Sequence, residues 1–288
     1  MSKICIIGGL GFIGSHLSLS LANSGNIITI VDNFKTINLD LFKNIKNSKN
    51  IKIYNKDYQS MDFNFINKII DKNTSIFHLA AVSRVRDSSE NYIKDIYENN
   101  IIGLFNFVNE LKKTNYKKFI FASSSSVYGH MIKLTSSEND NCNPVNLYGT
   151  SKLIGEQIIK QNLNKYIIMR LFNVYGNCKY KNSKNNLLLQ NIIEKSNNFK
   201  LEGNGDVKRD FIYIEDVINI FRISIKKTIN NKIFNVGSGR NISVNKFIST
   251  FTNLKNAKKI KGRSNEVQST RANIDKIKNI IIGNHNTH

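Results

Sequence analysis

Tyr148-Gly-Thr-Ser-Lys152 is the pairing in this chain with the clearest chemical use. It lies inside an apolar helical pattern from Leu147 to Leu163, where a four-residue spacing puts the phenol and the ammonium on one helix face. A free tyrosine titrates near pH ~10 and is a poor base at neutral pH. A cation ~4 Å away, at an effective dielectric of ~20, favours the phenolate by ~4 kcal/mol, or roughly three pK units. Upstream, the apolar run from Lys118 ends in four consecutive serines, Ser123 to Ser126, which places hydroxyls at the carboxyl end of a strand. A tyrosine and a lysine one turn apart also occur on plain helix surfaces, so the surrounding elements have to decide.

Those elements begin with Ile-Cys-Ile-Ile-Gly-Gly-Leu-Gly-Phe-Ile-Gly, residues 4 to 14. A β-branched run enters Gly8, Gly11 and Gly14, and Phe12 and Ile13 open a helical pattern continued by Leu17 and Leu21. In a strand, turn and helix of this kind, the first glycine allows the turn angles. The second lets a pyrophosphate approach the backbone, and the third lets helix pack on strand. An ordinary strand-to-helix turn reads the same way, but a second apolar run ends at Val31-Asp32, about 20 residues on, where a carboxylate can accept ribose hydroxyls. Asp32 would repel a 2′-phosphate, which favours NAD over NADP, although Lys35 lies close by. An oxidised nicotinamide would add a second positive charge beside Tyr148.

Further strand-like runs follow at Ile51 to Tyr54, Ser75 to His78, Lys118 to Phe121 and Tyr166 to Met169, with helical patterns at Tyr92 to Leu111 and Leu147 to Leu163. The alternation implies an α/β fold with a doubly wound parallel sheet. No repeat or Pro/Gly-rich linker appears, so a second, smaller domain would be interleaved with the first. The 288 residues, 40% of them hydrophobic, suffice for an ordinary core. No apolar run is long enough to span a bilayer, and the first strand reads as buried rather than as a signal peptide. Three cysteines, Cys5, Cys142 and Cys178, lack metal-ligand spacing and suit a reducing cytoplasm. The net charge of +21 invites a polyanion partner, but the lysines are spread along the chain rather than gathered in an arm, which argues against nucleic acid.

Asp57, after the third strand, is placed either to meet an adenine amino group or to cap the strand end. Leu79-Ala80-Ala81 after the fourth strand would let the backbone lie near a cofactor, and His78 reads as a packed histidine rather than a base.

Taken together, these motifs resemble the extended short-chain dehydrogenase/reductases, in their NAD-dependent nucleotide-sugar epimerase and dehydratase branch. The pattern is closest to UDP-glucose and UDP-N-acetylglucosamine 4-epimerases. Further segments carrying the resemblance are Asn100 in Asn-Ile-Ile-Gly, Arg170-Leu-Phe-Asn-Val-Tyr-Gly176, Arg209-Asp-Phe-Ile-Tyr-Ile-Glu-Asp216, Asn235-Val-Gly-Ser-Gly239, and Arg263 with Glu266. The resemblance implies a Rossmann-like NAD-binding domain over residues 1–176, completed by about 211–241, and a substrate-binding domain from 177–210 and 242–288. It makes Tyr148 the base, with Lys152 lowering its pKa and holding the nicotinamide ribose, and Ser124 hydrogen-bonding the reacting sugar oxygen. Asn33, Asp57, Tyr58 and Asn100 join the glycine turn, Asp32 and Leu79 to Ala81 around the cofactor. Ser83, Asn173, Asn186, Leu187, Arg209, Arg263 and Glu266 fall to the substrate, the arginines supplying forks for a pyrophosphate. The same resemblance implies a homodimer built from the helices of 92–111 and 147–163, and no metal.

The chain departs from some branches. Dehydratases of the family carry Asp and Glu where Ser125 and Ser126 stand, and decarboxylases carry Glu at Ser126. A hydroxyl cannot readily replace a carboxylate as general base, so 4-epimerisation of a nucleotide hexose, with UDP favoured by Asn186-Leu187, is the expected reaction. It would serve surface polysaccharide or glycolipid synthesis. Other transformations on the scaffold, and a redox-silent NAD- or RNA-binding relative, remain alternatives. Thr270 either leaves room for an acetamido group at sugar C2 or is simply exposed, and Arg84 and Arg86 either face an acidic sugar or are solvated. Gly176 lacks the following proline common in the family, and His285 and His288 read as a polar tail rather than a metal site.

Overall fold

The computed structural model describes residues 1–83, 89–179, 199–226, 228–252, 257–262 and 266–282. Arg84, Arg86, Asn186, Leu187, Arg263, His285 and His288 lie outside the described residues. Strands β1 (Lys3–Ile7), β2 (Ile27–Asp32), β3 (Ile51–Asn55), β4 (Thr74–His78), β5 (Lys118–Ser124) and β6 (Tyr166–Leu171) fall where the apolar runs place them. A seventh, β7 (Lys232–Val236), completes a parallel sheet in the order β7-β6-β5-β4-β1-β2-β3. The order reverses beside β1, so the carboxyl ends of β1 and β4 open a crevice of the kind in which doubly wound sheets bind ligands.

Two cores face the sheet from opposite sides, and β1 shows why. Its side chains alternate, sending Ile4 and Ile6 into one apolar cluster and Cys5 and Ile7 into the other. One face is covered by α1 (Phe12–Asn23), α2 (Leu39–Asn47) and a late helix, Ile214–Lys226, whose Val217, Ile218 and Phe221 join the first cluster. The other face is covered by α3 (Phe63–Ile69), α5 (Leu104–Leu111) and α6 (Leu147–Asn162), while α4 (Glu90–Asp95) leads into α5. Burial on both faces is what lets the strands read as continuous apolar runs.

One element differs from the sequence expectation. The helix expected over 92–111 is divided: between α4 and α5 the residues Ile96–Gly103 wind as a π-helix. Such a wider turn re-aims side chains within an otherwise regular helix. Here it carries Asn100 into the protein, 5% exposed.

Short strand pairs lie outside the main sheet. Asn173–Tyr175 runs parallel to Phe211–Tyr213, Lys208–Arg209 opposes Ile242–Ser243, and Phe199–Glu202 pairs with Ala257–Ile260. Ser136 bridges to Ala272, which brings the late part of the chain over the carboxyl end of β5 and β6. No helix among the described residues is long and apolar enough to cross a membrane.

Candidate active site

The glycine turn is constrained in three different ways. Gly8 has φ +80°, and a Cβ there would stand 2.6 Å from the backbone N of Ala80. A Cβ on Gly14 would fall 2.1 Å from the Gly8 carbonyl oxygen. At Gly11 a Cβ would meet nothing closer than that carbonyl at 3.7 Å, so packing does not require a glycine there. The bare backbone at Gly11, heading a helix that no side chain caps, fits a pyrophosphate that must come close. Phe12 is buried edge-on to His16, and Ile13 packs against the core of the sheet.

Asp32 also has a structural use. Both carboxylate oxygens accept backbone N–H groups, from Leu10 at 3.0 Å and Phe34 at 2.9 Å, so the carboxylate closes the glycine turn onto the end of β2. Burial pushes its pKa up, those two hydrogen bonds pull it down, and Asp57 adds to the rise. Each oxygen retains a second lone pair for a ribose hydroxyl. Asp57 caps the short 3-10 turn Tyr58–Ser60, accepting from Gln59 N at 3.2 Å, and also accepts from Asn33 Nδ2 at 3.1 Å. Tyr58 is buried and its hydroxyl donates to the Asn99 carbonyl.

Leu79 N and Ala80 N both donate to the Ile7 carbonyl, at 2.9 and 3.0 Å, which holds the loop after β4 beside the glycine turn. Ala81 is half-buried and Ser83 exposed. Asn100 clamps this loop by accepting from Val82 N at 2.8 Å and donating to Val82 O at 2.9 Å, and it reaches α6 through Ser151 Oγ at 3.1 Å. His78 is fully buried among the rings of Tyr58, Phe107, Phe119 and Phe121, as a packing role requires. Burial and then the Lys152 charge pull its pKa down to about 3.

Helix α6 starts at Asn146, whose side chain accepts from Gly149 N at 2.8 Å. A Cβ on Gly149 would lie 2.4 Å from the Ser126 carbonyl oxygen, so only glycine lets α6 approach the turn that follows β5. That approach brings the Ser124 hydroxyl near enough to the Tyr148 phenol to pull the phenol's pKa down. Lys152, 3% exposed, donates to the Ala122 carbonyl at 2.8 Å, and its Nζ stands 5.8 Å from the Tyr148 ring centroid. The structure therefore assembles Ser124, Tyr148 and Lys152 at one point.

The tuning of this pair is not the one its spacing suggests. Burial pushes the Tyr148 phenol up to about 12, against a lowering by the Ser124 hydrogen bond. Burial also pulls Lys152 down to about 7, against the Glu156 carboxylate, which raises it. Both groups share a desolvation that outweighs what their spacing alone would give. A positive nicotinamide ring acts on the phenol in the lowering direction.

Among the residues expected to meet substrate, Asn173 Nδ2 donates to Asp210 O at 3.2 Å and to Thr270 Oγ1 at 3.4 Å. Arg209 pairs with Glu266 at 3.0 Å. Thr270 N in turn donates to Lys208 O at 3.1 Å, so Asn173, Thr270, Arg209 and Glu266 share one neighbourhood.

Three buried residues escaped the sequence reading as site residues: Ser123, Glu156 and Asp210. Asp210 accepts from Ser238 N and Oγ, both at 2.7 Å, and from Gly239 N and Ala272 N, both at 3.0 Å, stapling late loops to the sheet. Its only sequence signal was its place beside Arg209.

The NAD dependent epimerase/dehydratase family model matches residues 4–237. A protein of Methanocaldococcus jannaschii, provisionally named a UDP-glucose 4-epimerase, is 34% identical over 84% of this chain and 79% of its own. A UDP-N-acetylglucosamine 4-epimerase from Methanobrevibacter ruminantium, solved with UDP-N-acetylmuramic acid, superposes with a TM-score of 0.85 at 27% identity, over 97% of this chain and 91% of that one. A Bacillus cereus UDP-glucuronic acid 4-epimerase, solved with UDP-glucuronic acid and NAD, gives a TM-score of 0.84 at 25% identity, over 97% and 93% of the two chains.

Proposed function

The chain belongs to the NAD-dependent epimerase/dehydratase family, and from that premise we propose that it interconverts the C4 epimers of a UDP-hexose. The chemistry that the dinucleotide supplies when bound is reversible hydride exchange with sugar C4. Tyr148 takes the proton of the 4-hydroxyl, and Ser124 steadies the same oxygen by a hydrogen bond. Lys152, in its protonated form, puts a positive charge beside the phenol. Arg209, with Arg263, anchors the diphosphate while the 4-keto sugar turns over in the pocket, and Tyr148 then returns the proton.

The observation that carries this choice within the family is the turn after β5. Ser124 is followed by Ser125 and Ser126, and Ser126 Oγ is engaged with Ser124 Oγ at 3.1 Å. No carboxylate stands at those two positions to draw off a second proton, so elimination of water lacks its acid and base. Residues 177–210 and 242–288 are assigned to substrate, and Thr270 to the neighbourhood of sugar C2, where its small side chain leaves room for an acetamido group. Three cysteines in the sequence, without metal-ligand spacing, support a reducing, cytoplasmic setting in this reading.

Proton NMR of the purified protein with UDP-N-acetylglucosamine and no added cofactor tests the reading. Growth of the galacto anomeric signal is expected, followed by trials of UDP-glucose and UDP-glucuronate. No epimer from any of the three, with NAD present in the protein, overturns it. A homodimer is part of the same proposal. Ile93, Tyr97, Ile102, Phe105 and Ile154 are exposed large apolar residues on the helices that would pair. Sedimentation at a single-chain mass would remove that part.

A further inference from the structure

Ser123, Arg170 and Asn235 form one row across three neighbouring strands, because β5 sets Ser123 beside Arg170 and β7 sets Asn235 beside Arg170. All are buried, and so is Glu156, which descends on the row from α6 one turn beyond Lys152. Both oxygens of the Glu156 carboxylate are engaged. Its Oε1 accepts from Ser123 Oγ at 2.6 Å and Arg170 Nε at 2.9 Å, its Oε2 accepts from Arg170 Nη2 at 2.8 Å, and Lys160 Nζ stands 4.0 Å away.

A buried ion pair of this quality is weak support for stability, since apolar residues of similar volume often do as well. Its position is more telling. Ser123 immediately precedes Ser124, and on its other side the Ala122 carbonyl accepts from Lys152 at 2.8 Å. Two successive residues of β5 are thus tied to α6 by hydrogen bonds, Ala122 to Lys152 and Ser123 to Glu156, and the next residue, Ser124, lies near Tyr148.

We infer that Glu156, held by Arg170, is a positioning residue for the catalytic trio: it locks the Ser124 end of β5 to the Lys152 turn of α6 and fixes a carboxylate charge one turn from the ammonium. The inference rests on the epimerase reading of the trio. The groups facing Lys152 are Tyr148 and Glu156 from α6, His78 from β4 and the Phe121 ring from β5. His78 is held neutral, its pKa near 3, so Glu156 supplies the negative charge that opposes the desolvation of the ammonium. The same row anchors the late chain. Arg170 stacks 4.8 Å from the Tyr128 ring, Tyr128 donates to Asn235 Oδ1 at 2.6 Å, and Asn235 Nδ2 donates to the carbonyls of Ser136 and Asn273 at 2.8 and 3.2 Å.

Glu156→Gln alone would strand the Arg170 charge, so the test uses two gentler changes in the NAD-loaded protein. Ser123→Ala removes only the link to β5, and Glu156→Leu with Arg170→Met removes both charges at similar volume. Carbon-13 NMR of the lysine Cε groups, with Lys152 assigned by its loss in Lys152→Met, follows the ammonium without any sugar. In the double variant the Lys152 midpoint is expected to move down by about one pH unit, a tenfold loss of proton affinity. With a convertible sugar, both variants are expected to lose on the order of 10-fold in kcat at little change in KM. A purely structural pair would leave the midpoint unmoved, and an unmoved midpoint overturns the inference. Wild-type kcat in Ser123→Ala overturns it as well. If the parent protein converts no sugar the epimerase reading fails, while the titration still decides the role of Glu156.

Discussion

Two arginine–glutamate pairs sit in different regions of this molecule and close at nearly the same distance, 2.8 Å for Arg170–Glu156 and 3.0 Å for Arg209–Glu266. Their surroundings separate them. Beneath the catalytic trio the side chains are 3% and 0% exposed and the guanidinium meets the carboxylate through two nitrogens, with Ser123 completing the shell. On the substrate side the side chains are 14% and 13% exposed, and Arg209 spends another nitrogen on the Lys208 carbonyl. In the first pair neither charge has water to fall back on, so it acts as fixed scaffolding. In the second, water can stand in for part of the contact, and in the proposed reading Arg209 turns part of it to the substrate's diphosphate.

The largest effect that would break this contrast is on folding. Glu156→Gln leaves Arg170 charged and buried, and is expected to destabilise the protein by about 3–5 kcal/mol, measured by urea unfolding at matched NAD saturation. A loss below about 1 kcal/mol would place the pair with ordinary surface contacts and dissolve the distinction.

Next in size is chemistry. Tyr148→Phe removes the transferable proton from the buried side of the site, and turnover is expected to fall by roughly 10²-fold or more while NAD stays bound. Absorbance of the released dinucleotide checks retention, and NMR of the sugar checks turnover. Near-normal turnover would show that another group serves as base.

The cofactor half of this contrast was legible in the sequence because its constraints are local. Gly8, Gly11 and Gly14 announce a strand-to-helix turn by their spacing, and the strands from β1 to β6 announce themselves as apolar runs. Tyr148 and Lys152 stand one turn apart on a helix the sequence marks clearly. Glu156 is one turn further along the same helix, and at that spacing it reads as a solvated partner of Lys152 or Lys160. Only Arg170, delivered from another strand, turns it into a buried group. Asp57 was readable as a carboxylate at a strand end, but its choice of partner waited on Asn33 and Gln59. The π-helical stretch that aims Asn100 inward leaves no mark in the apolar pattern, since Ile96, Leu104 and Phe107 suit an unbroken helix equally well. The phenol's upward shift was missed for a different reason: distance between charges can be guessed from spacing, whereas desolvation depends on everything packed around them.

A middle-sized effect sharpens the substrate side. Arg209→Met removes a fork suited to a diphosphate, and KM for the nucleotide sugar is expected to rise on the order of 10-fold with kcat nearly unchanged, the signature of lost uniform binding. A fall in kcat with constant KM would instead put Arg209 among the groups that act on the reacting carbon. The pair would then resemble Arg170–Glu156 in purpose.

The smallest effect tests the other member of that pair. Glu266→Gln keeps an oxygen that can accept from Arg209 but removes the charge, and because both partners are partly exposed the expected stability loss is at most about 1 kcal/mol. Free of its carboxylate, Arg209 has less to give up when a diphosphate arrives, and its full positive charge then faces the ligand. Isothermal titration with UDP should therefore show binding at least as tight as in the parent protein if Glu266 only holds Arg209 in place. Weaker UDP binding would mean that the carboxylate itself meets the nucleotide, through the ribose hydroxyls it is shaped to accept. That outcome would make the substrate-side pair a ligand-binding unit in both of its members. The buried pair would then be the only one of the two that is scaffolding.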